Sequence, residues 1–289
     1  MKKNVILIVN PVSGGIDKSE LIETVALFTA NKNKNFILFE TSGEDDISKI
    51  KEFYQRFQPE RIIIAGGDGT IKLVAEALEG EDIIFGILPA GSANGLATDL
   101  GLPKTIEESL VVAFQDNFME IDVVVINGVK SLHLSDLGLN AELIKNYENS
   151  AVHGKWGYAL QAFNTLMDRE DPFVATIKAN GKTLECEARM IVIANSQKYG
   201  TGIVINPHGV MNDGKFELIV LKNLDLVVFG KIITGNMPIE PEDVEIISTD
   251  EAIITTNNPV SFQIDGEYLG QKKELNITIS PSKIKVAIA

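Results

Sequence analysis

Along the first 120 residues, short and nearly continuous apolar runs alternate with stretches whose apolar positions recur every three or four residues. The runs VILIVN, FILFE, RIIIAGG and IIFGILP read as strands. The segments near 18–31, 45–57 and 71–79 read as helices, the last with Val74 and Leu78 at i and i+4. Strands that are apolar throughout, each followed by a helix, predict a parallel sheet covered on both faces, a doubly wound α/β domain. After about Glu120 the pattern changes to longer runs joined by two-residue turn signals: DVVVI-NG-VKSLHL, PFVATIKA-NG-KTLECEA and VMN-DG-KFELIVLK. Asn-Gly and Asp-Gly tolerate the left-handed backbone of a tight hairpin, so the second half is expected to be mainly antiparallel β. Two helical interruptions are expected there, near 141–167 and 224–234, the first with Leu160, Phe163 and Leu166 facing a sheet. The division is therefore an α/β domain over 1–122 and a β-rich domain over 123–289.

A length of 289 residues suits two domains, and 45% apolar with 23% charged residues is ordinary globular composition. The balance of 26 basic against 40 acidic residues, net −14, argues against nucleic acid or anionic lipid held by bulk electrostatics, local basic patches excepted. Cys186 has no cysteine to pair with, which fits a reducing, cytoplasmic setting. Lys2 and Lys3 precede an apolar run that stops at Asn10-Pro11, too short for a signal peptide, and no run approaches the ~20 apolar residues of a spanning helix.

Candidate chemistry sits where predicted strands end. Asn10-Pro11-Val12-Ser13-Gly14-Gly15 follows the first, Gly66-Gly67-Asp68-Gly69-Thr70 the third, and Leu88-Pro89-Ala90-Gly91-Ser92-Ala93-Asn94-Gly95 the fourth. Glycines let backbone amides approach phosphate, a helix N-terminus adds its dipole, and ligands gather at the carboxyl ends of parallel strands. Each loop alone also reads as a structural turn. Three together, with Asp68 supplying a carboxylate for Mg²⁺ or a hydroxyl, point to a kinase acting on a nucleotide's γ-phosphate. The loops match neither a dinucleotide fingerprint nor a P-loop. His133, His153 and His208 are not at metal-ligand spacing.

NPVSGG, GGDGT and LPAGSANGLATDLG, in this order, resemble the diacylglycerol kinase and sphingosine kinase catalytic superfamily. LGLNAEL, NSQKYGTGIVINPHGVMNDGKFELIVLK and QIDGE extend the resemblance nearly to the end of the chain. It implies an ATP-dependent lipid kinase with a nucleotide-binding α/β domain and a β-sandwich-like domain receiving a diacylglycerol, sphingoid base or related lipid. On this resemblance Asn10, Pro11, Ser13, Gly14, Thr41, Gly66, Gly67, Asp68, Gly69, Thr70, Gly91, Ser92 and Asn94 contact the nucleotide. The general base is Asp68 or one of the closing pair, Asp265 and Glu267; Asp265-Gly266 reads locally as a hairpin turn. The resemblance also implies a structural Mg²⁺ on the Asp213 carboxylate and the carbonyls of Val210 and Lys215. Glu142 is placed to face a substrate amine. Leu73, Ser92, Gly95 and Asn140 depart from the common bacterial pattern and leave the acceptor lipid open. Two rival readings stand beside this one: an NAD kinase, which shares GGDGT, and a non-catalytic nucleotide-binding regulator. Membrane contact is expected to be peripheral and transient, with 224–234 a weak candidate, and the oligomeric state is open, a homodimer included.

Overall fold

The computed structural model describes residues 2–15, 17–92, 94–138, 171–199, 203–223 and 242–289. The helix expected near 141–167, with Asn140 and Glu142, and the stretch 224–234 lie outside the described residues. Two compact units emerge: one runs to Val123 and includes Pro281–Ala289, and the other comprises Val124–Tyr199 and Ile203–Ser280.

The first unit follows the alternation of its sequence: β1 (Asn4–Val9), α1 (Ser19–Asn31), β2 (Asn35–Glu40), α2 (Asp46–Phe57), β3 (Arg61–Gly66), α3 (Asp68–Ala77) and β4 (Ile84–Pro89). Then come α4 (Gly95–Asp99), α5 (Ile106–Ala113) and β5 (Phe118–Ile121). Val5, Leu7, Val9, Ile63 and Ala65 form a buried cluster with Leu21 and Val25 of α1 and Leu110 and Ala113 of α5. The alternate residues Ile6, Ile8, Ile62 and Ile64 are equally buried. By the two-residue period of a strand they face the other side of the sheet, which explains why β1 and β3 show no polar position after their first residues, Asn4 and Arg61.

The second unit contains β6 (Val124–Ile126), β7 (Val129–Ser131), β8 (Leu134–Gly138), β9 (Phe173–Ala179), β10 (Lys182–Ala188), β11 (Met190–Ala194), β12 (Lys198–Tyr199) and β13 (Ile203–Val204). It continues with β14 (Phe216–Leu221), β15 (Val244–Thr249), β16 (Glu251–Ile264) and β17 (Glu267–Ile279). The main sheet runs β15-β14-β11-β8-β16-β17-β6-β7, and β9 pairs with β10 and β16. Strand β16 pairs with β9 over Ala252–Thr256 and with β8 over Phe262–Ile264, and its register against β17 shifts between these stretches. Bulges of this kind let one long strand serve two layers of a sandwich. Phe216, Phe262, Ile193, Ile254 and Leu275 fill the core. Asn127-Gly128, Asn180-Gly181 and Asp265-Gly266 all have positive φ at both residues, the geometry of two-residue hairpins.

Two expectations are corrected. The stretch 123–289 is not one body, because a last strand, β18 (Ile284–Ala287), enters the first sheet between β4, to which it is parallel, and β5, to which it is antiparallel. The Asp213-Gly214 pair does not join two strands: only Gly214 has positive φ, and β14 begins at Phe216 with β11 and β15 as its neighbours. The Asp213 carboxylate accepts the Lys215 amide at 3.0 Å, so a side chain closes this turn where a ladder was expected.

Candidate functional site

The ends of β1, β3 and β4 are tied by the Asn10 amide on the Ala65 carbonyl (3.1 Å) and the Ala90 amide on the Gly66 carbonyl (3.0 Å). The loops that follow press on one another through glycines. A Cβ on Gly91 would lie 2.4 Å from the Gly67 Cα, and one on Gly14 only 2.7 Å from the Ala90 oxygen. Neither contact leaves room for a side chain, and Gly14 also has φ of 67°. Gly69 differs: nothing lies within 4 Å of the space its side chain would take. Its hydrogen keeps that surface of the loop open.

Asp68 is the first residue of α3, and both its oxygens are engaged: Oδ2 accepts the Gly95 amide at 2.8 Å and Oδ1 the Leu96 amide at 3.0 Å. These are the first amides of α4, which has no cap from its own Asn94; that side chain closes on Gly91, accepting its amide at 2.8 Å and donating to its carbonyl at 2.9 Å. Asp68 therefore acts as the cap of a neighbouring helix and pins the third loop to the second. Thr70 is buried with its hydroxyl against Gly66, while Ser92 is exposed and Ser13 half-buried.

One residue the sequence reading passed over belongs here. Lys18 is buried, and its ammonium donates to the Ser13 carbonyl at 2.7 Å. Burial pushes its pKa down and the nearby Asp17 charge partly offsets this. A lysine three residues beyond a Gly-Gly loop was the available signal. Thr41 follows β2, its amide on the Val9 carbonyl at 2.9 Å, in a turn held by buried Asp46, whose carboxylate accepts the amides of Ser42 (3.0 Å) and Gly43 (2.8 Å).

In the second unit, Asp265 and Glu267 flank the tip of the β16–β17 hairpin. The Asp265 carboxylate accepts the Ser131 hydroxyl and the Leu132 and His133 amides, each at 3.0 Å, and its own amide donates to the Leu134 carbonyl at 3.0 Å. The Gly266 amide donates to Gln263 Oε1 at 2.7 Å, and the buried Gln263 amide in turn donates to buried Asp136. The turn is thus fixed by the Gln263 side chain of β16 and by the Asp265 carboxylate, which takes the Ser131 hydroxyl of β7 and the backbone of the β7–β8 connection. Glu267, two residues on, is exposed.

For the implied metal, Asp213 offers a second carboxylate oxygen besides the one on Lys215, and it is exposed, as is Val210. The implied ligands, one carboxylate and two carbonyls, are hard oxygens of the type Mg²⁺ takes beside several retained waters. Among the described residues no three His, Cys, Asp or Glu side chains gather as a metal cluster, and no helix is long and apolar enough to cross a membrane.

Residues 4–126 match the diacylglycerol kinase catalytic domain, and residues 135–288 match the YegS C-terminal NAD kinase beta sandwich-like domain. The chain belongs to the diacylglycerol kinase and sphingosine kinase superfamily. Among its lipid-kinase relatives, "Lipid kinase YegS" of Escherichia coli (strain K12) is 25% identical over 254 residues, covering 85% of this chain and 83% of that protein. "Probable lipid kinase YegS" of Salmonella typhimurium is 26% identical over the same length and coverage. A crystal structure of a diacylglycerol kinase from Bacillus anthracis shares the fold with a TM-score of 0.77 at 20% identity, covering 99% of this chain and 97% of that one. An NAD kinase from Archaeoglobus fulgidus, solved in complex with ATP, shares it more distantly, with a TM-score of 0.57 at 14% identity over 98% of this chain and 93% of that one.

Proposed function

We propose that this lipid-kinase family member transfers the γ-phosphate of ATP to the hydroxyl of a diacylglycerol, a sphingoid base or a related lipid. The interlocked loop edge of the first unit carries the reading: Gly14, Gly67 and Gly91 bring three strand ends together, with Asp68 clamping Gly95 and Leu96. Backbone amides of these loops and the hydroxyls of Ser13 and Ser92 are the phosphate donors, and the Lys18 ammonium sets a fixed positive charge beneath the first loop. Asn10, Thr41 and Asn94 shape the remaining contacts.

Proton removal from the lipid hydroxyl is assigned to Glu267. Glu267 is exposed, whereas Asp265 and Asp68 are half-buried and spend their carboxylates on holding the local backbone. A base must reach the hydroxyl it deprotonates, so Asp265 serves to fix the turn that presents Glu267 and Asp68 to hold the phosphate loops. Mg²⁺ bound with the nucleotide would neutralise charge on the β- and γ-phosphates. A second Mg²⁺ on Asp213, Val210 and Lys215 would be structural. The protein would act from the cytoplasm and meet the bilayer transiently.

An NAD kinase reading has the distant fold neighbour in its favour, but the match of residues 4–126 to the diacylglycerol kinase domain favours lipid. The test is transfer of labelled phosphate from ATP, with Mg²⁺, to micelles of diacylglycerol, sphingosine or ceramide, with NAD as a parallel acceptor. Labelled lipid supports the proposal. Labelling of NAD alone, or stabilisation by ATP without transfer to any acceptor, overturns it in favour of the NAD kinase or the regulator.

A further inference from the structure

At the amino ends of β1 and β2, on the sheet edge opposite the phosphate loops, Lys2, Lys3, Lys32, Asn33 and Lys34 line a cavity of about 520 Å³. Six residues of strand, about 20 Å at ~3.3 Å each, separate the two edges. Four ammonium groups gather here in a protein whose net charge is −14.

Local structure accounts for part of the cluster. Glu60 pairs with Lys3 at 3.0 Å and with Lys34. The Lys32 ammonium lies 5.2 Å from the Phe28 ring centroid and 5.8 Å from that of Phe114, at the carboxyl end of α1, where a cation offsets the helix dipole. That dipole does not call for Lys2 and Lys3, which arrive from the other strand, and Lys2 has no ion pair among the described residues. One carboxylate against four ammoniums leaves a local excess of positive charge around a concavity of ligand-binding size.

We propose that this pocket binds a small, phosphate-dense anion at a site separate from the phosphate loops. Its walls contain only lysines and one asparagine, so nothing in it would stack on a base or bury an acyl chain; the ligand class is a compact polyphosphate or multiply phosphorylated metabolite. A phospholipid headgroup offers the same chemistry, but none of the lining residues is apolar, so nothing here would enter the acyl region beneath a headgroup. The soluble anion is the reading we adopt.

The experiment is acetylation footprinting of the full chain, read by mass spectrometry, with sodium tripolyphosphate as the probe. With the probe near ten times its Kd, labelling of Lys2, Lys3, Lys32 and Lys34 should fall about tenfold, while exposed Lys104 and Lys182 should be unaffected. In the double variant K2Q/K32Q, which leaves both Glu60 pairs in place, protection of Lys3 and Lys34 should be lost while circular dichroism shows the fold retained, the melting temperature falling only slightly with the Lys32 contacts to Phe28 and Phe114. Vesicles of phosphatidylglycerol and phosphatidylcholine should give no protection. Equal slowing at every lysine, protection that persists in the double variant, or protection by vesicles alone would each overturn the proposal, the last by assigning the pocket to a headgroup.

Discussion

The carboxylate of Asp68 holds the backbone amide of Gly95, 27 residues further along the chain, at 2.8 Å. This one contact binds GGDGT to the loop after β4 and makes Asp68 a clamp. Replacing it by alanine should lower stability by about 1.5–3 kcal/mol, because two amides lose a charged acceptor. ATP affinity should fall with it. Urea unfolding and equilibrium nucleotide binding check this; a variant of unchanged stability and affinity that has lost only kcat would return the base role to Asp68.

Asp265 and Glu267 should separate cleanly. Glu267→Gln is expected to reduce kcat by roughly 10²–10⁴-fold with no change in melting temperature, as for loss of a general base at an exposed site. Asp265→Ala strips the acceptor from Ser131, Leu132 and His133 and should cost about 1–3 kcal/mol. Steady-state kinetics and thermal melts on the two variants decide.

The glycines of the loop edge make a steric pair of tests. Gly91→Ala drives a methyl into the Gly67 backbone, and the loops must part, at about 1–3 kcal/mol and with loss of nucleotide binding. Gly69→Ala has open space and should fold as the parent does. Weakened ATP binding in that variant would mark the face on which phosphate approaches.

Acid should loosen the turn after β2. Burial pushes the Asp46 carboxyl up, but the Ser42 and Gly43 amides and the Ser42 hydroxyl outweigh it and hold the pKa below its ordinary 3.8. A carboxyl depressed in the folded state binds fewer protons there than in the unfolded chain. Its contribution is therefore complete above the ordinary value and is lost as pH falls through the folded one. Unfolding free energies measured from pH 6 downward should fall less steeply in Asp46→Asn than in the parent.

Much of this molecule is legible from its sequence, and the failures have physical causes. The parallel sheet follows from strands whose interiors are apolar, and three Asn-Gly or Asp-Gly pairs form two-residue hairpins because their φ values are positive at both residues. Asp213-Gly214 carries the same letters, yet its carboxylate takes the Lys215 amide and no strand runs directly into it, β13 having ended at Val204. At the start of α5 the Thr105 hydroxyl accepts the Glu108 amide and donates to the Glu108 carboxylate, a cap that the Thr-x-x-Glu spelling signals. The partners of Asp68 and Asp265 were not readable, since each carboxylate is satisfied by amides distant in sequence. A carboxylate in a motif does not announce whether it is free to react.

The strand β18 imposes an order on the birth of the protein. A ribosome delivers β4 and β5 early, but the strand that lies between them emerges only after the whole second unit has been made. Until then the nascent sheet has an open edge along β4, with unpaired amides and carbonyls that invite pairing with another chain. The loops that gather at the other ends of those strands rest on a sheet that is completed last.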